Sequence, residues 1–256
     1  MENILQKEIE AVCKKLGTES KAARLFTNCY PNTLATTTKP GENGRYFVFT
    51  GDIPAMWLRD SSAQVRHYLP IASKYSEIAE VIEGLCRQQT FCILADPYAN
   101  AYNNEPNWNC WSVDKTERSA FVYERKYEID SLCYPIQLAY LFWKTTGRTG
   151  HFTYDFHAAL HNIVNLWIRE QEHMTRSPYS FERSNCPPSD TLPCEGKGNP
   201  VAYTGMTWSG FRPSDDACKY GYLVPSNMFA WVVLGYVQEI AEEIYHNPVL
   251  CEMAAK

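Results

Sequence analysis

The chain has 256 residues, a formal net charge of −5, 45% apolar residues and 14% aromatic residues. Such length and apolar content suit a single packed domain over 1–256 and exclude a disordered chain, and without a basic stripe nucleic acid is excluded as a partner. The longest apolar stretch, Met228 to Val237, is too short to cross a bilayer, and MENILQKEIEAVCKK lacks the apolar segment of a signal peptide, so the expectation is a cytoplasmic protein with no membrane partner.

Helical periodicity predicts helices over about 2–16, 20–37, 61–73, 76–94, 130–146, 151–175, 225–246 and from 248 onward. Asp60, followed by Ser-Ser-Ala-Gln, reads as an N-cap, and Tyr46 to Phe49 as a short strand. Gly147 suits a C-terminal stop, and Pro225 and Pro248 suit first helical turns. Short links near 17–19, 74–75, 147–150 and 247 alternate with long ones over 38–60, 95–129 and 176–224. Hairpins of helices joined in that rhythm put the long loops at one end, and loops of such length are usually functional. The pattern fits an all-α, (α/α)6 toroid, incomplete here with about eight helices, and a short β-hairpin near the loops.

Ten cysteines contain no C-x-x-C pair, and read as reduced, mostly buried thiols. His157 and His161 are four apart but have no third ligand in a metal motif, so neither a metal nor a cofactor is expected.

Each long loop carries carboxylates among aromatics. The first ends in GDIPAMWLRDS, where Arg59 and Asp60 can grip vicinal hydroxyls, one donating and one accepting. In the second, DPYANAYN and ERKYEIDSLCYP crowd Glu124, Glu128 and Asp130 beside Arg125 and Lys126, with Asp130 also placed to cap a helix. The third holds TWSGFRPSDDACKYGYLVPSNMF, where Asp215 and Asp216 lie beside Trp208 and Arg212. Adjacent carboxylates can hold one proton while the other ionises, and glycoside cleavage needs a proton donor and a second carboxylate to activate water.

These four motifs resemble, in order, those of glycoside hydrolase family 125, the metal-independent exo-α-1,6-mannosidases, over about residues 20–246. The resemblance implies an inverting enzyme that removes terminal α-1,6-linked mannose from a mannose-containing oligosaccharide. It places the general acid at Asp215, with Asp216 the alternative, and the sugar site at Arg59, Asp60, Tyr98, Asn100, Asp130 and Arg212; the aromatic Trp208 joins them as a stacking face. The family's general base lies in a His-Glu motif near its C-terminus, and no such dipeptide occurs here. The expectation is therefore a C-terminally truncated chain, inactive by itself. A non-catalytic mannose-binding fragment or module is the alternative, and an (α/α)6 glucoside hydrolase is a third reading.

Overall fold

The computed structural model describes residues 1–256. Eight helices of eight residues or more dominate it: α1 (Glu2–Leu16), α2 (Lys21–Cys29), α3 (Leu58–Arg66), α5 (Ser76–Ala95), α6 (Ile129–Thr146), α7 (Tyr154–Glu170), α10 (Val224–Glu243) and α11 (Pro248–Ala255). Single turns α4 (Leu69–Ala72), α8 (His173–Arg176) and α9 (Pro193–Gly196) punctuate the connections.

The helices form two rows. α3 packs on α6 and α6 on α10, while α5 packs on α7 and α7 on α11; contacts of α5 with α6 and of α10 with α11 tie the rows together. This is part of an (α/α) toroid, with α3, α6 and α10 as its inner staves. One continuous cluster of 49 buried residues, from Leu5 to Ala254, fills the space between the rows.

Local chemistry sets the ends. Ser20 Oγ accepts from Ala23 N–H at 3.0 Å and Thr153 Oγ1 from Phe156 N–H at 3.2 Å, satisfying first-turn donors of α2 and α7. Asn247 Oδ1 accepts from Val249 and Leu250 N–H and Pro248 follows it, as a first-turn proline should. α6 stops at Gly147, whose φ of 71° is the left-handed conformation glycine adopts without cost. On α5, Gly84 admits the β-hairpin formed by β1 (Thr38–Pro40) and β2 (Tyr46–Val48): a Cβ there would lie 2.5 Å from the Gly44 carbonyl oxygen.

Three expectations need correction. The helix predicted over 20–37 ends at Cys29; Pro31 follows, and a π-helical turn covers Thr33–Thr37. Asp60 is not an N-cap, because α3 begins at Leu58 and Asp60 lies inside its first turn. The apolar strand β3 (Met56–Trp57) runs straight into that helix, so the start moved upstream of the polar signal. The cysteines are all free, but only Cys13, Cys86, Cys92 and Cys133 are buried; Cys29 and Cys194 are exposed and four are intermediate.

The second sheet orders the working end. β3 pairs antiparallel with β4 (Ala101–Tyr102), and β4 with β5 (Val122–Glu124), joining the first long loop to both halves of the second. The third loop docks on them through Lys115–Glu182 pairing and through Phe211 N–H donating to the Tyr127 carbonyl at 2.9 Å. The three long loops thus meet above the N-termini of α3, α6 and α10.

Candidate active site

β5 continues as an extended run into α6, and extended backbone alternates its side chains. Glu124, Lys126 and Glu128 turn toward the loops, while Arg125 and Tyr127 turn toward an aromatic core. All five are buried. On the far side, Arg125 pairs with Asp96 at 2.6 Å, and Tyr127 N–H donates to the Tyr179 hydroxyl at 3.0 Å.

On the near side, Glu124 accepts from Arg183 at 2.9 Å and from the Asn100 amide at 2.9 Å. Arg183 also forms a two-pronged pair with Asp114 at 2.7 and 2.8 Å and reaches Asp190 at 3.0 Å. Lys126 pairs with Asp190 and donates to the Asp215 carbonyl at 2.8 Å.

Beside this lattice, Arg59 faces four carboxylates: Asp60 at 3.6 Å, Glu128 at 3.8 Å, Asp130 at 3.5 Å and Asp215 at 3.8 Å. These are ion-pair distances without hydrogen bonds, so both oxygens of Asp130, Glu128 Oε1 and Asp215 Oδ1 have no hydrogen-bond partner although enclosed. The helix N-termini beneath them partly offset the negative charge: Asp60 and Asp130 stand in the first turns of α3 and α6. Burial lifts Glu128 well above the usual carboxylate range, and its neighbour Asp130 lifts it further. Burial likewise raises Asp130 to about 6, with Arg59 opposing. Glu124 is also raised, again through burial. Unpaired buried acceptors and an excess of carboxylates over cations suit a neutral, hydroxyl-rich ligand and disfavour an anionic one.

Two hollows flank the Asp215 turn. One, about 170 Å³, is lined by Trp57, Trp111, Glu124, Lys126, Arg183 and Asp215. The other, about 440 Å³, lies between Asp130, Tyr134, Arg212 and the start of α10 at Pro225 and Ser226. Asp215 and Asp216 point different ways. Asp216 Oδ2 accepts from Arg212 at 2.7 Å and from Ser214 at 2.9 Å, leaving Asp215 alone toward Arg59.

Of the residues expected to line a sugar site, Arg59, Asp60, Asp130, Asp215 and Arg212 come together. Trp208 and Tyr98 lie apart from them. Trp208 is 1% exposed and stacks on His173 with ring centroids 3.6 Å apart. Tyr98 is buried, donates its hydroxyl to Glu170 at 2.6 Å and stacks on Tyr179. Asn100 is fully buried and acts on the site indirectly, holding Glu124 and accepting from Lys126 N–H at 3.1 Å. Sequence reasoning missed Asp114, Arg183 and Asp190. No group of three or more His, Cys, Asp and Glu side chains has an arrangement that could hold a metal ion, and no helix is long and apolar enough to cross a membrane.

Residues 19–256 match the sequence profile of the metal-independent α-mannosidases, GH125. A solved structure from Streptococcus pneumoniae superposes with a TM-score of 0.96 at 46% identity, covering 100% of this chain and 60% of that one. That protein is described as one of a family of metal-independent α-mannosidases, in a non-productive substrate complex with α-1,6-mannobiose. The meiotically up-regulated gene 157 protein of Schizosaccharomyces pombe is 34% identical over 96% of this chain and 52% of its own length. The chain therefore spans between half and two thirds of the relatives it matches.

Proposed function

The chain belongs to the metal-independent α-mannosidase family GH125, and on that premise we propose that it serves the hydrolysis of terminal α-1,6-linked mannose with inversion, Asp215 acting as general acid. The observation that carries this reading is the asymmetry of the acidic pair: Asp216 is tied to Arg212, while Asp215 faces Arg59 and lines the smaller hollow. A carboxyl group there donates its proton to the glycosidic oxygen as the bond to the sugar C1 breaks. The surrounding carboxylates favour the positive charge that develops on the ring, and Arg59, Asp60, Asp130 and Arg212 supply donors and acceptors for its hydroxyls.

Inversion also needs an ionised, water-accessible carboxylate on the other face of the ring. Glu128 is a poor candidate, since its side chain has no exposed surface and burial pushes its carboxyl well above the usual carboxylate range. This supports a base other than Glu128 for the inverting step. Ten unpaired cysteines suit a reducing compartment and support a cytoplasmic location.

The test is α-1,6-mannobiose hydrolysis by the full-length protein carrying Asp215→Asn or Asp216→Asn. Asp215→Asn should lower kcat by at least about 10²-fold, the lower end of general acid help, and Asp216→Asn far less. Equal effects would remove the assignment.

A further inference from the structure

Asp215 occupies a backbone conformation that an aspartate rarely chooses. Its φ is +63°, in the left-handed region that glycine enters more readily than a residue with a side chain. Two bonds close the turn locally: Asp215 N–H to the Arg212 carbonyl at 2.8 Å, and Arg212 N–H to the Asp216 carbonyl at 2.9 Å. Neither reaches the rest of the protein. The carbonyl of Asp215 is held from outside, by Lys126 Nζ at 2.8 Å.

Lys126 is built to be immobile. Its side chain is 2% exposed, and its backbone N–H is fixed by Asn100 Oδ1 at 3.1 Å. Its ammonium is also paired with Asp190, which Arg183 anchors in turn at 3.0 Å, and it lies 5.1 Å over the Phe211 ring. A buried ammonium is costly to desolvate, so a lysine here is poorly explained by packing. Neutralising Glu124 and Asp190 does not by itself require a donor aimed at a backbone carbonyl.

We propose that Lys126 is a positioning residue for Asp215: its ammonium clamps the Asp215 carbonyl, holds the residue in the left-handed conformation and so turns its carboxyl toward Arg59 and the hollow. This rests on the reading of Asp215 as the general acid. Asp190 and Arg183 brace the clamp from the third loop, which makes the acid's orientation depend on a strut from the second.

The experiment compares two substrates in the full-length protein carrying Lys126→Met, with Asp215→Asn as reference. α-1,6-Mannobiose needs a proton on its leaving oxygen, whereas a 2,4-dinitrophenyl α-mannoside departs without one. A misdirected acid should lower kcat on mannobiose by about 10²-fold, the lower end of general acid help, with less than about tenfold loss on the dinitrophenyl substrate and little change in KM. Loss of equal size on both substrates would mean that Lys126 is merely structural and would overturn the proposal. If Asp215→Asn shows no such split, the acid assignment itself fails, and Lys126 is then judged by a crystal structure of Lys126→Met. The proposal requires Asp215 to leave positive φ and its carboxylate to move off Arg59; an unchanged Asp215 overturns it. Should Lys126→Met not fold, Asp190→Asn keeps the lysine but slackens its brace. It should give a smaller loss with the same substrate split, and an equal loss on both substrates again counts against the clamp.

Discussion

Replacing Asp130 by Asn should make the protein more stable at pH 7.5 while impairing the site. Asp130 has a side chain 4% exposed, no hydrogen-bond partner for either oxygen, and Glu128 close by on the same guanidinium. Burial raises it from its ordinary 3.8 to about 6. A shift of about two units corresponds to about 3 kcal/mol of cost for keeping the charge. Glu128 shares that cost, and the new amide hydrogens need partners of their own, which takes back about 1 kcal/mol. The net gain should be about 1–2 kcal/mol, or about 2–8 °C in Tm for a chain of this size.

The sign of the pH dependence follows from the raised value. Between its unfolded and folded pKa, the folded protein holds a proton on Asp130 that the unfolded chain has lost, so wild-type stability falls as pH rises from about 4 to about 6. Asp130→Asn lacks that slope. Urea melts of both proteins from pH 4 to 8 should show a gap that is small or reversed at pH 4, opens toward pH 6 and then stays constant. A variant less stable than wild type at pH 7.5, or a gap independent of pH, would refute the claim that this carboxylate is held at a cost.

Arg59→Met leaves Glu128 and Asp130 buried without their cation and should destabilise by about 3–5 kcal/mol at pH 7.5, with a smaller loss at pH 5, read in the same melts. Asp215→Gly relieves a positive φ and should raise stability by about 1 kcal/mol while activity on α-1,6-mannobiose is lost; a lower Tm would argue against strain at the acid. Gly84→Ala should gain up to about 1 kcal/mol from helix propensity. The clash with the Gly44 backbone costs about 1–3 kcal/mol, so denaturant melts should show a net loss.

The sequence made the hairpin rhythm legible because helix period and loop length are local properties. Gly147, Pro225 and Pro248 marked ends correctly, since each acts through its own backbone. The start of α3 was misread because its cause lies elsewhere: Met56 and Trp57 are drawn into a sheet with Ala101 and Tyr102, which no polar residue near Asp60 announces. Arg59, Asp130 and Asp215 could be grouped because each stands near the start of an inner helix or in the loop leading to one. Arg183 and Asp190 escaped notice because they lie in an irregular stretch and gain meaning only against Asp114, Glu124 and Lys126. Trp208 was read as a stacking face because exposed and core aromatics look alike in sequence. The glycines around it were the missed signal: a Cβ at Gly198 or Gly221 would lie 2.9 or 2.7 Å from its ring, as expected for an enclosed indole.

Inverting, metal-independent cleavage of α-1,6-linked mannose can be followed by proton NMR of α-1,6-mannobiose hydrolysis by the full-length protein in excess chelator. β-Mannose should appear first, at a rate the chelator does not change, and equilibrate to the α anomer afterwards. Initial release of α-mannose, or loss of activity that added divalent metal restores, would contradict it.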